Sequence, residues 1–164
     1  MISVLLATYN GKKYLSLAIE SILNQSFTDF ELLIGFNGTT DGSQEIPLKY
    51  NDPRIRIFDY GDDRGKSNTL NKLIKEAKYE WVAIQDDDDI WRHDKLEKQV
   101  PFMDKFDVIG SLICYIDDNN NITGQPQLST IPSEIKRISM SGLNQVANTS
   151  AIIRKNDVLD IGGW

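Results

Sequence analysis

The chain has 164 residues, 40% hydrophobic and 26% charged, with a formal net charge of −6 and a pI near 4.8. That size suits one domain, and the acidic balance argues against nucleic acid or an anionic membrane as the main partner, because both want a basic face. One cysteine, Cys114, excludes an internal disulfide; it stands in an apolar run and reads as a buried structural thiol. No stretch approaches the roughly 20 apolar residues of a membrane span. The N-terminus carries no signal-peptide pattern. The chain therefore reads as cytoplasmic, with a peripheral place at the inner face of the membrane left open.

Residues 2–7 are an almost unbroken apolar run, the pattern of a central parallel strand covered on both faces. The polar turn Thr8-Tyr9-Asn10-Gly11 follows. A helix is predicted over 13–25, where Tyr14, Leu15, Ala18, Ile19, Ile22 and Leu23 recur at helical spacing. Residues 30–36 read as a second strand. It stops at Asn37-Gly38-Thr39-Thr40-Asp41-Gly42, a loop of turn formers. A helix over 43–50 is interrupted by Pro47. Residues 54–60 alternate as a strand, and 67–77 read as a helix with Leu70, Leu73, Ile74 and Ala77 on one face.

The strand predicted over 81–85 ends in four carboxylates, Asp86, Asp87, Asp88 and Asp89, before Ile90 and Trp91. A strand does not carry four like charges into a core, since each unpaired buried carboxylate costs several kcal/mol or more. The acidic run therefore stands at the strand's end, facing a cleft or solvent. Its members raise one another's pKa, and a hard cation such as Mg²⁺ or Mn²⁺ relieves the repulsion. The plainer reading is a solvated acidic turn capping the helix predicted over 94–103. Further on, 108–116 reads as one long strand, 122–124 as its hairpin partner, 145–154 as a last strand and 155–161 as a short helix. A turn or short helix opens at Pro132.

Strands alternating with helices through residue 105 predict an α/β fold with a mainly parallel sheet. Ligands then bind at the carboxyl ends of the strands, where loops 8–11, 37–42 and 86–89 are expected to converge. The dinucleotide fingerprint G-x-G-x-x-G and the phosphate loop G-x-x-x-x-G-K-[ST] are both absent.

Five segments in register resemble the inverting family 2 glycosyltransferases with a GT-A fold. They are S-V-L-L-A-T-Y-N-G, I-L-N-Q-S-F-T-D-F-E-L-L-I, G-F-N-G-T-T-D-G, W-V-A-I-Q-D-D-D-D-I-W-R-H-D-K-L-E-K-Q-V and I-I-R-K…I-G-G-W, spread from residue 3 to residue 164. The resemblance implies a GT-A, Rossmann-like three-layer sandwich. It implies a metal-dependent transfer of sugar from a nucleotide-diphosphate sugar, UDP favoured, to a carbohydrate or lipid-linked acceptor hydroxyl with inversion. As the ends of D-x-D, Asp88 would hold Mn²⁺ or Mg²⁺ against the donor diphosphate and Asp86 would approach the ribose, directly or through the metal; Asp87, the variable middle position, would also contact donor, and Asp89 would be of lesser weight. Ala7, Thr8 and Tyr9 would line the base and ribose pocket, Asn37 would contact the base where the family usually has Asp, and Arg64 and Lys66 would lie near base and phosphates. The family's general base follows the G-G-F segment, so it is expected after Trp164. Residues 1–164 then form one nucleotide-sugar-binding domain ending before the base-bearing segment.

Two other functions stay open: a non-catalytic nucleotide-binding module, and a nucleotidyltransferase, for which loop 8–13 has too little glycine. His93 reads as solvated surface, Trp91 as packing under the acidic loop, and Arg154 as a strand end that pairs locally. Asp41 is a turn cap or a ligand contact, and Asn71 a pocket residue or an ordinary helix position. Trp164 would approach the acceptor by the family resemblance, or is mobile at the chain end.

Overall fold

The computed structural model describes residues 1–61 and 65–164. Its main sheet has the strand order β3-β2-β1-β4-β8-β5. β1 (Ile2–Thr8), β2 (Phe30–Phe36), β3 (Ile55–Asp59) and β4 (Trp81–Asp86) are mutually parallel, as the alternation predicts. β8 (Ile152–Arg154) runs antiparallel to both β4 and β5 (Val108–Ile109). Leu5 of β1 pairs with Leu33 on one side and Ile84 on the other.

All seven residues of β1 and all seven of β2 are buried, because helices cover both faces of the sheet and successive side chains point to opposite ones. Val4 and Leu6 face α1 (Leu15–Leu23) through Leu15, Ala18, Ile19 and Ile22. Leu5 and Ala7 face α2 (Lys66–Glu76) through Leu70, Leu73 and Ile74. Gly35 lets α2 come close: a Cβ there would lie 2.6 Å from Thr69 Cγ2.

At the amino end of the sheet a buried carboxylate ties four segments together. Glu31 on β2 accepts bonds from Ser3 Oγ (2.8 Å), Lys78 N (2.7 Å) and Arg56 Nη1 (2.9 Å). Burial alone raises its pKa, but these donors outweigh burial and hold it below the usual carboxylate range. The folded value being depressed, the stabilisation is complete above the unfolded carboxylate pKa and is lost as pH falls through the folded one. Glu31→Gln should therefore lower stability at neutral pH and flatten the acid limb of a denaturation-against-pH curve. An unchanged acid limb would refute this role.

Elsewhere the structure departs from the expected elements. Pro47 divides 43–50 into two short 3₁₀ turns, Ser43–Glu45 and Pro47–Lys49. The helix over 94–103 is α3 (Lys95–Gln99) followed by a 3₁₀ turn at Pro101. The long strand over 108–116 does not form. β5 has two residues, the chain leaves the sheet at Gly110, and β6 (Tyr115–Ile116) pairs only with β7 (Ile122–Gly124). The cause lies opposite. Residues Asn148–Ser150 form a 3₁₀ turn rather than strand, so 110–114 have no ladder partner, and the Ser111 N–H is met by Ser150 Oγ at 3.3 Å. Cys114, expected to be buried, is consequently exposed. The segment opening at Pro132 is a helix, α4 (Pro132–Met140), and α5 spans Lys155–Asp160. No described helix is long and apolar enough to cross a membrane.

Candidate functional site

The three polar loops meet at the carboxyl ends of β1, β2 and β4. Thr40 N donates to Asn10 Oδ1 (2.8 Å) and Lys12 N to Asp41 Oδ2 (2.9 Å), joining the loops after β1 and β2. Asp41 also accepts from Ser43 N and Oγ (2.9 and 2.7 Å), so it is a turn cap. The buried Thr8 hydroxyl donates to Asp87, joining β1 to the acidic turn. Gly11 sits against that pair, where an added Cβ would come within 2.5 Å of Asp87 Oδ2.

Between the loops is a cavity of about 410 Å³ lined by Ala7, Thr8, Tyr9, Asn37, Lys66 and Asp87, together with Gly65. These six side-chain positions were each expected to contact donor. Asn37 is 3% exposed, and its Oδ1 is buried with no partner among the described residues. An orphaned acceptor of this kind costs about 1–3 kcal/mol, which an N–H of a ligand in the cavity would relieve. Gly65, at φ +124°, turns the chain into α2, and Lys66 at the head of that helix pairs with Asp86. Arg64, expected near base and phosphates, lies outside the described residues.

The acidic turn divides its charges. Carboxylate oxygens of Asp86, Asp88 and Asp89 all lie within 4.8 Å of one another, while Asp87 turns to Thr8 and the cavity. Asp89, expected to be of lesser weight, is thus part of the cluster. Burial pushes the Asp87 carboxyl up, with the Thr8 bond opposing and Asp88 and Asp86 adding to the rise. Burial also raises Asp89, opposed by its hydrogen bond with Thr149 and assisted by Asp86 and Asp88. Three close carboxylates are an all-oxygen donor set, which suits Mg²⁺ or Mn²⁺ rather than a soft metal.

The turn is backed by buried groups. Gln85, fully buried at the end of β4, donates from Nε2 to the Asp89 carbonyl at 2.6 Å. Trp91 is buried as packing, with its indole N–H on the Thr149 carbonyl at 2.9 Å. The Lys95 ammonium lies 3.9 Å from the Trp91 ring centroid and bonds Gln99 Oε1 at 2.8 Å. Burial lowers its pKa to about 7. His93 is exposed, and Arg154 pairs locally with Asp107 and Glu80. Trp164 is not loose. Its N–H and C=O bond Asn71 Oδ1 and Nδ2 at 2.9 and 3.1 Å, which settles Asn71 as a clamp on the Gly-Gly-Trp segment. Gln85 and Thr149 carried no signal in the sequence; Gly11 showed only as half of an Asn-Gly turn.

Asp88 and Asp89 line a second recess of about 180 Å³ rather than the 410 Å³ cavity, and Asp86 joins the two through Lys66. A parallel sheet with one antiparallel intruder, a cavity beside its switch point and a carboxylate cluster next to it together describe a GT-A architecture. The model of glycosyl transferase family 2 matches residues 3–161, and the chain belongs to that family. It is 28% identical over 156 residues to the Escherichia coli UDP-Glc:alpha-D-GlcNAc-diphosphoundecaprenol beta-1,3-glucosyltransferase WfgD, covering 93% of this chain and 62% of WfgD. It superposes on S. aureus TarS 1–349 in complex with UDP-GlcNAc with a TM-score of 0.76, at 22% identity, over 98% of this chain and 47% of that one. The mannosyltransferase PcManGT from Pyrobaculum calidifontis, in complex with GDP-Man and Mn²⁺, gives a TM-score of 0.73 at 19% identity, over 99% and 47%. The chain thus spans between about half and two thirds of the length of these proteins.

Proposed function

We propose that this chain is the donor-binding domain of an inverting glycosyltransferase that moves a sugar from a nucleoside-diphosphate sugar, UDP favoured, to a carbohydrate or lipid-linked acceptor hydroxyl. The observation that carries this reading is a cavity lined by Ala7, Thr8, Tyr9, Asn37, Lys66 and Asp87, whose Lys66 pairs with Asp86 of the Asp86, Asp88 and Asp89 cluster. Asn37 receives an N–H of the base. Lys66, poised on Asp86, takes up a phosphate oxygen when donor enters. Asp86, Asp88 and Asp89 hold Mn²⁺ or Mg²⁺. A cation held there offsets the negative charge that develops on the departing diphosphate. A carboxylate must also remove the acceptor's proton; we place it beyond residue 164, in keeping with the greater length of the relatives.

The test is calorimetric titration of the chain with UDP, GDP and CDP, with and without Mn²⁺. Tightest binding is expected for UDP with Mn²⁺, and absence of binding to any nucleotide would overturn the reading. Asn37→Ala should weaken UDP binding by roughly 2- to 10-fold, the worth of one neutral hydrogen bond. If Asn37→Ala bound every nucleotide with wild-type affinity, Asn37 would not be a base contact.

A further inference from the structure

We propose that Thr149 is a positioning residue for the acidic turn, fixing Asp86 and Asp89 so that three carboxylates stay within reach of one divalent cation. The inference rests on the reading of that turn as a metal site. Asp86, Asp88 and Asp89 crowd within 4.8 Å, and like charges that close repel. Something other than the charges must hold the turn in shape when it holds no metal.

Thr149 meets the turn at its start, middle and end. At the start, its hydroxyl oxygen accepts the Asp86 N–H at 3.4 Å and lies 3.5 Å from Gln85 Oε1. In the middle, the side chain hydrogen-bonds the Asp89 carboxylate, while Gln85 Nε2 grips the Asp89 carbonyl at 2.6 Å. At the end, the Thr149 carbonyl takes the Trp91 indole N–H at 2.9 Å. The residue is itself well anchored. It sits in the 3₁₀ turn Asn148–Ser150, whose Ser150 carbonyl accepts from Gln99 Nε2 at 2.9 Å and whose Ser150 side chain is buried. Thr149 lines neither the 410 Å³ cavity nor the 180 Å³ recess on the other side of the turn. Its effect on a ligand therefore passes through the aspartates it holds.

The experiment titrates Mn²⁺ into the chain saturated with UDP, for wild type, Thr149→Val and Thr149→Ser. Thr149→Val keeps the branched shape and loses the hydroxyl, so Mn²⁺ affinity should fall roughly 10-fold, the scale of lost support to a metal ligand. Thr149→Ser keeps the hydroxyl and should restore affinity close to wild type, with both variants melting near wild type in the absence of metal. Thr149→Ala is read as Thr149→Val is, and covers the case in which valine prevents folding. Wild-type affinity in the hydroxyl-less variants, or no recovery with serine, overturns the inference alone. A wild-type chain that takes up no Mn²⁺ overturns the metal-site reading and this inference with it.

Discussion

Asp88→Ala is expected to abolish Mn²⁺-dependent binding of UDP, and Asp89→Ala to weaken it by a comparable factor, about 100-fold or more. Loss of a support behind a metal ligand costs about 10- to 100-fold, and loss of a ligand sits at or beyond the top of that range. Sequence register singles out Asp86 and Asp88 as the two ends of D-x-D, leaving Asp89 outside. In the structure Asp89 shares the cluster with both. It is also less exposed than Asp88, and a carboxylate taken from water without a partner is the more costly one to leave unpaired. Asp87→Asn should behave differently, because Asp87 faces Thr8 rather than the cluster, and an amide oxygen can still accept that hydroxyl. The measurement is calorimetry with UDP in the presence and absence of Mn²⁺. An Asp89→Ala chain that keeps wild-type affinity in Mn²⁺ would return the site to the two-aspartate form.

Gly11→Ala should weaken UDP binding both with and without Mn²⁺, by roughly 5- to 150-fold, the 1–3 kcal/mol typical of overpacking a tight site. An alanine Cβ would collide with the Thr8 hydroxyl and come within 2.5 Å of Asp87 Oδ2. Thr8 is buried and cannot move aside, so Asp87 must swing away and the bond between them breaks. Both residues line the cavity. The Gly11 carbonyl also accepts the Tyr14 and Leu15 N–H groups at 3.1 and 2.9 Å, so a shift there reaches the start of α1. Loss of binding only in the presence of Mn²⁺ would assign Gly11 to the cluster instead, against this argument.

The central part of the fold was legible because its signals are local. Nearly continuous apolar runs such as residues 2–7 and 30–36 read as strands covered on both sides, and the polar turns that end them then share one edge. The cavity residues Thr8, Asn37 and Lys66 followed from that edge and from the family resemblance. The second half was less legible because its structure is decided across the sheet. Nothing local to 108–116 says that its neighbour will break into a 3₁₀ turn, leaving Gly110 onwards without a ladder and Cys114 in solvent. Nothing local to Thr149 reveals that its partners lie some sixty residues earlier. Trp164 is held by the Asn71 side chain 93 residues away and packs against the hydrophobic cluster under α2, contacts that no period or motif encodes.

The placing of Thr149 behind the acidic turn also sets the order in which the parts of the molecule become competent. Chains emerge from synthesis amino end first, and β1, β2, β3 and β4 can pair as soon as residue 86 is available. The four aspartates follow directly, Asp86 as the last residue of β4 and the other three just after it. Gln85 backs them from β4 itself, but the part of their support that comes from Thr149 arrives only with residues 148–150 and β8. During that interval the nascent sheet carries an acidic turn whose indole N–H and Asp86 N–H still lack their final acceptors. The cavity walls are thus early structure and the carboxylate cluster is late structure, so a chain cut before Asn148 would keep four of the six sheet strands in register while losing the geometry of the cluster.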